Sequence, residues 1–163
     1  MRTKHLILIS AILFSLFISS CELNKVDDSL ADIIDEQAML ELVNDLRKDG
    51  CQCGDIYMEP SEKLQWNDEL ERAAKAHSID MNVQNYFSHT SLNGDSFADR
   101  IRGTNYEGDP RGENIAVGYP NEQSVFEGWK NSPGHCQNMM NPGHTDIAVG
   151  KSGSYWTMVF GKN

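Results

Sequence analysis

Three short segments hold the residues of this chain most able to do chemistry: Phe87-Ser88-His89-Thr90, Gly112-Glu113-Asn114-Ile115-Ala116 and Trp129-Lys130-Asn131-Ser132-Pro133-Gly134-His135. Each sets a histidine or carboxylate beside glycine, serine or an aromatic ring. That composition suits loops where backbone approaches a ligand closely and titratable groups converge. Two imidazoles, His89 and His135, with the carboxylate of Glu113 offer ligands for a divalent ion such as Zn²⁺ with an open coordination position. The same three groups offer a second chemistry, in which Glu113 orients one imidazole as a base toward water or a serine. No standard enzyme signature accompanies them: the sequence has no Gly-x-Ser-x-Gly elbow, no His-Glu-x-x-His pair and no phosphate-binding glycine loop. Ser88 and His89 are chain neighbours, and neighbours rarely present both side chains to one substrate atom.

The elements that position these segments follow from hydrophobic periodicity. Asp35 caps a helix whose apolar positions Met39, Leu42, Val43 and Leu46 repeat at helical spacing and end at Gly50, with Asn44 and Arg47 on another face. Asn67 caps a second helix with Leu70, Ala73, Ala74, His77 and Met81 on one stripe, which places His77 inward as a hydrogen-bonded core residue. Between them, Gly50 to Gln65 reads as a long loop whose end, Leu64-Gln65-Trp66, folds back as packing. Ser96 to Arg102, closed by Gly103, is a short helix; Asn121 to Asn131 is another, with Val125, Phe126 and Trp129 inward. Ser132 and Pro133 start a further helix as cap and first helical residue. Asn114 and Asn138 read as amides that hold the fold, and His144, in Asn141-Pro142-Gly143-His144, reads as a surface loop residue.

Strand signals lie late, at Asn114 to Gly118, Asp146 to Lys151 and Tyr155 to Phe160, the last two joined by a turn at Ser152-Gly153-Ser154. Both alternating faces of the final strand are largely apolar, so something covers each side. Helices early, antiparallel strands late and two covered faces predict an α+β three-layer α-β-α sandwich with a mainly antiparallel central sheet.

The amino terminus carries Arg2 and Lys4, an apolar run from Leu6 to Ile18 too short to span a bilayer, and then Ser19-Ser20-Cys21. This is the layout of a secretory signal, and Ile18-Ser19-Ser20-Cys21 resembles the lipobox of bacterial lipoproteins. The resemblance implies cleavage before Cys21, lipidation of that residue and stable anchoring without a membrane-spanning helix. The expected organisation is a signal peptide over 1–20, an acidic tether over 21–34 and one domain over 35–163. Formal charge is −10 for the whole chain and, with Arg2 and Lys4 removed, near −12 for the processed one. So acidic a chain argues against nucleic-acid binding and against adhesion to anionic head groups beyond the anchor itself.

Three further cysteines are Cys51, Cys53 and Cys136. Export permits one bridge and one leftover thiol, and pairing Cys51 with Cys53 directly would strain the disulfide. Cys53 with Cys136 is the favoured bridge because Gly54 beside Cys53 is permissive; Cys51 with Cys136 is the alternative. A metal site built on the three sulfurs has no CxxC spacing behind it.

Asn44-x-x-Arg47, Leu64-x-Trp66, Leu70-x-x-Ala73-Ala74-x-x-His77-x-x-Asp80-Met81, Phe87-Ser88-His89, Gly112-Glu113-Asn114-Ile115-Ala116 and Trp129-x-x-Ser132-Pro133-Gly134-His135-x-x-Asn138 together resemble the bacterial branch of the CAP superfamily. That superfamily comprises the cysteine-rich secretory, antigen 5 and pathogenesis-related 1 proteins and is also called SCP-like. The resemblance runs in order over nearly all of residues 36–161 and implies an α-β-α sandwich. It also implies a central cleft, lined in many eukaryotic members by a His, Glu, Glu, His tetrad. His89, Glu113 and His135 match three of those positions; the fourth, three residues after the tryptophan, is Ser132 here. One acid is therefore missing from the cleft. The expected function is an exported, lipid-anchored binding module of the bacterial cell envelope, its ligand a lipid, a peptide or a glycan fragment. A metal-assisted hydrolase of peptide or envelope polymer, with His89 and His135 holding Zn²⁺ or another divalent ion, is the alternative.

Overall fold

A computed structural model describes residues 31–163. The signal peptide, Cys21 and most of the tether expected from the sequence lie outside the described residues. The tether's last residues fall inside them and are docked: Asp32 N–H donates to Lys151 O at 2.9 Å, Lys151 Nζ donates to Asp32 Oδ2 at 2.6 Å, and Ile34 is buried in the core.

Helix α1, Glu36–Asp49, begins where Asp35 Oδ1 accepts the amide of Ala38 at 2.9 Å and buries Met39, Val43 and Leu46. Its polar residues Asn44 and Arg47 are ties. Asn44 exchanges two hydrogen bonds with the backbone of Leu64, at 3.0 and 2.8 Å. The fully buried Arg47 donates to the carbonyls of Glu62, Met139 and Asn141, and burial pulls its pKa down to about 10.

The next segment, expected as a loop, contains a hairpin: β1, Cys51–Cys53, pairs antiparallel with β2, Ile56–Met58. Gly54 makes the turn at φ 63°, a conformation that favours glycine. Strands of three residues are too short for alternation to announce them. Leu64 packs inward as expected, and Gln65–Trp66 goes further, forming β3, a parallel strand beside Asp146–Ser152.

Helix α2, Asp68–Gln84, follows the Asn67 cap, whose Oδ1 accepts the amides of Glu69 and Leu70. Leu70, Ala73, Ala74, His77 and Met81 are all buried. Helix α3, Phe97–Arg102, starts at a capping box between Ser96 and Asp99. Then come β4, Asp109–Val117; α4, Glu122–Lys130; α5, Pro133–Met140; β5, Asp146–Ser152; and β6, Tyr155–Lys162. Strand β4 begins five residues earlier than the apolar pattern suggests. Its start holds Pro110 and Gly112, which the edge position tolerates and where the pairing register shifts.

The main sheet has the order β3-β5-β6-β4, antiparallel except for β3 with β5. In β6, Trp156, Met158 and Phe160 face α1, α4 and α5 in one apolar cluster, while Val159 joins Leu70, Ala73, Ala74, Ile101 and Ala148 on the other side. The predicted three layers are the layers observed. Close contact of α2 with the sheet depends on Gly150, where an added Cβ would lie 2.2 Å from the backbone nitrogen of Lys75.

The expectation for His144 is corrected. It is 3% exposed, stacks on Phe160 with ring centroids 4.8 Å apart, and its Nε2 meets Asn138 Oδ1 at 3.1 Å. The turn at Asn141-Pro142-Gly143 is exposed as its composition implies, but the next residue is carried inward by its approach to β5. Burial, then the positive charges of Arg47 and Arg111, lower the His144 pKa to about 4, so the ring is neutral at pH 7.

Candidate functional site

The three segments converge on β4. Gly112-Glu113-Asn114 belongs to that strand, Phe87-Ser88-His89 follows α2, and Ser132 to His135 opens α5. Gly112 is required by contact: a Cβ there would lie 2.5 Å from Asn138 Oδ1. Asn138 Nδ2 donates to Asn114 Oδ1 at 2.9 Å, and Asn114 Nδ2 donates to the carbonyl of His135 at 3.1 Å. The two asparagines hold the fold as predicted, and by locking α5 to β4 they fix where His135 stands relative to Glu113.

Glu113 is the centre of the site. Its side chain is 1% exposed; Oε1 meets His89 Nδ1 at 2.8 Å and Oε2 accepts from Arg100 Nη2 at 2.5 Å. Both carboxylate oxygens therefore have a strong partner. His89 is outward, its side chain 55% exposed, and Nε2 has no protein partner among the described residues. His135 is half-buried, and burial, then the nearby charge of His89, lowers its pKa.

Sequence reasoning missed Arg100. Besides pairing Glu113, it donates to the carbonyls of His89 and Asp95 and to Ser91 Oγ, at 3.0 to 3.1 Å, so one guanidinium clips the whole 89–95 loop against β4. A buried carboxylate requires a counter-charge, but nothing in Phe97-Ala98-Asp99-Arg100-Ile101-Arg102 marks Arg100 over Arg102 before the helix is placed. His77 is the hydrogen-bonded core residue expected of it: Nε2 bonds the carbonyl of Ser88 at 3.0 Å, and burial, then Arg100, lowers its pKa. Arg100 also lines a groove of about 550 Å³, together with His77, Asp80, Ser91, Leu92 and Asp95.

Ser132 stands at the N-cap of α5 with Pro133 at the first helical position, as predicted, but its side chain makes no capping hydrogen bond. Its carbonyl accepts the amide of Cys136 at 2.8 Å. Cys53 and Cys136 form the disulfide, and Cys51 remains a thiol.

Fit to a metal can be tested on donor chemistry. Among the described residues, the three-residue cluster with ligand atoms within 4.8 Å of one another is Cys51, Cys53 and Cys136, and two of these are joined in the bridge. In the cleft, Glu113 has both oxygens engaged and a guanidinium beside it. It stands behind His89 as the group that fixes the ring's tautomer and orientation, the usual place of a carboxylate behind a ligating histidine. His89 Nε2 and His135 are the groups left to hold an ion.

Comparison with known proteins places the fold. The chain is 38% identical over 98 residues to the uncharacterised membrane protein YlbC of Bacillus subtilis, covering 60% of this chain and 28% of that one. It is 40% identical over 99 residues to the uncharacterised protein YkwD of the same organism, covering 60% and 38%. The chain thus spans well under half the length of either relative. Among solved structures, it resembles an extracellular protein containing an SCP domain from Bacillus anthracis, with TM-score 0.64, 27% identity, and 78% of this chain and 41% of that one covered. An outer surface protein of Borrelia burgdorferi shares the fold, with TM-score 0.64 at 24% identity over 78% and 91% of the two chains. Among the described residues no helix is long and apolar enough to cross a membrane. The sequence profile of the CAP, or cysteine-rich secretory protein, family matches residues 40–160, and the chain belongs to that family.

Proposed function

We propose that this protein is an exported, lipid-anchored binding module of the bacterial cell envelope, with a signal peptide over 1–20, lipidation at Cys21, a tether that ends before the docked residues 32–34, and a binding domain from there to 163. Its cleft, formed by His89, Glu113, Ser132 and His135, takes a lipid, a peptide or a glycan fragment. The observation that carries this reading is the state of Glu113, buried and bonded at both oxygens to His89 and Arg100. A carboxylate held in this way orients an imidazole and has neither oxygen free to approach substrate or water. With Ser132 where a second acid would stand, the cleft presents one exposed imidazole, one half-buried imidazole and a hydroxyl, groups that recognise polar ligands, and Glu113 is the one carboxylate the three segments supply. The extracellular SCP-domain protein of Bacillus anthracis is consistent with export.

The test follows the ring resonances of His89 and His135 by NMR. Phospholipid vesicles, a muropeptide digest and an unstructured peptide library are titrated separately into the chain. One class is expected to shift both rings, and His89→Ala to weaken its binding at least tenfold. If none of the three moves either ring, the binding reading is wrong.

The second reading, a metal-assisted hydrolase, is favoured by the outward His89 with a carboxylate behind it. A bound ion would act as a Lewis acid toward a carbonyl or lower the pKa of water, with His89 and His135 holding it and Glu113 orienting His89. Stoichiometric Zn²⁺ uptake in calorimetry, lost in His89→Ala, would favour this reading over the first.

A further inference from the structure

Residues two apart on a strand share a face, so β1 points Cys51 and Cys53 the same way, toward α5 and Cys136. The Cys51 thiol lies 3.6 Å from the sulfur of Cys53 and 3.6 Å from that of Cys136. A free thiol is thus in contact with both sulfurs of an existing bridge. Cys51 is half-buried and borders a groove of about 310 Å³ between α1 and α4, whose lining includes Asp49, Phe126 and Lys130.

We propose that Cys51 is a thiol–disulfide exchange site, which converts the Cys53–Cys136 bridge into Cys51–Cys136 and leaves Cys53 as the free thiol. Cys51 loses its proton to solvent and its thiolate attacks Cys136 Sγ. The bond between the sulfurs of Cys51 and Cys136 forms as that between Cys53 and Cys136 breaks. The electron pair departs on Cys53 Sγ, which takes up a proton; no oxidant or reductant is consumed. Equal distances place the thiol abreast of the bond, so attack requires rotation of the Cys51 side chain into line, for which the adjoining groove gives room. Attack on Cys53 instead would close a bridge between residues two apart in one strand, with poor disulfide geometry; Cys136 is therefore the sulfur selected. Burial raises the Cys51 pKa while Lys130 opposes it, so exchange quickens as pH rises. Since His135 precedes Cys136, exchange shifts by two residues the point on β1 to which the cleft-bearing helix is tied.

The full chain is alkylated with iodoacetamide under native conditions between pH 7 and 9, and non-reduced peptides are mapped by mass spectrometry, with Cys21 followed as its own peptide. Expected are two populations: label on Cys51 with Cys53–Cys136 intact, and label on Cys53 with a Cys51–Cys136 bridge. The second should appear at an initial rate that rises up to about tenfold per pH unit, independently of protein concentration, and in Cys51→Ser the label on Cys53 should fall at least tenfold. The Cys53→Ser chain should fold with a Cys51–Cys136 bridge. Label confined to Cys51 across this range overturns the proposal. So does label on Cys53 that appears only where urea unfolds the domain, or a recovered Cys51–Cys53 bridge.

Discussion

At the scale of single residues, Glu113 and His89 touch each other yet answer to different constraints. Glu113 is enclosed, and its charge is tolerated because Arg100, itself 10% exposed at the side chain, faces it. Removing one partner of a buried ion pair leaves the other charged and unpaired, which costs about 3–5 kcal/mol. His89 is more than half exposed and gives up one hydrogen bond. We therefore expect Glu113→Ala to lower unfolding free energy by roughly 3 kcal/mol or more and His89→Ala by about 1 kcal/mol or less, both read from urea denaturation. Equal losses would mean that the carboxylate does not hold the 89–95 loop. The contrast also makes His89→Ala the usable variant for ligand experiments, because its fold survives.

At the scale of elements, the site depends on how closely helices approach the sheet. Strand β4 offers Gly112 to Asn138, and β5 offers Gly150 to the backbone of α2 at Ala74 and Lys75. A side chain at Gly112 meets the end of another side chain, whereas at Gly150 it meets backbone that cannot turn aside. Overpacking of this kind costs about 1–3 kcal/mol and at times more. Gly150→Ala is expected at the upper end, near 3 kcal/mol, with α2 displaced from the sheet and hydrogen exchange accelerated in α2 and β5. Wild-type exchange rates in α2 of the variant would contradict the close approach. Because α2 leads into the 87–95 loop, the same variant should disturb the cleft without touching any residue in it.

At the scale of the molecule, three histidines kept neutral by burial couple stability to pH. His144 is the strongest case, its pKa lowered from 6.5 to about 4; His77 and His135 shift the same way. A depressed folded-state pKa means that the unfolded chain binds more protons between the two values, so stability rises with pH there. The contribution is complete above about pH 6.5 and is lost as pH falls toward 4. For His144, allowing for solvent screening, it is on the order of 2 kcal/mol. His144→Gln should flatten the fall in urea midpoint from pH 7 to pH 4.5; an unchanged slope would show that His144 is not held neutral.

Much of this arrangement was legible in the sequence because it is local or periodic. Caps at Asp35, Asn67 and Ser96, stripes such as Leu70-Ala73-Ala74-His77-Met81, and the doubly apolar final strand are set by hydrogen bonds and hydrophobic burial within a few residues of chain. These determined the α+β layers; the three cleft residues were implied by the resemblance to the CAP superfamily, and the sequence favoured the Cys53–Cys136 bridge that the structure contains while leaving Cys51–Cys136 open. Tertiary structure alone decided the rest. Arg100 became the partner of Glu113 because α3 lies against β4, an adjacency that charge alone does not encode. His144 moved from a turn into the core because its ring stacks on Phe160 of β6, and Gln65–Trp66 became a strand only through its parallel partner. Cys51 came to touch both sulfurs of a bridge because a hairpin too short to announce itself faces α5. In each case the deciding interaction joins residues distant in the chain, where periodicity carries no information and only the folded packing supplies the contact.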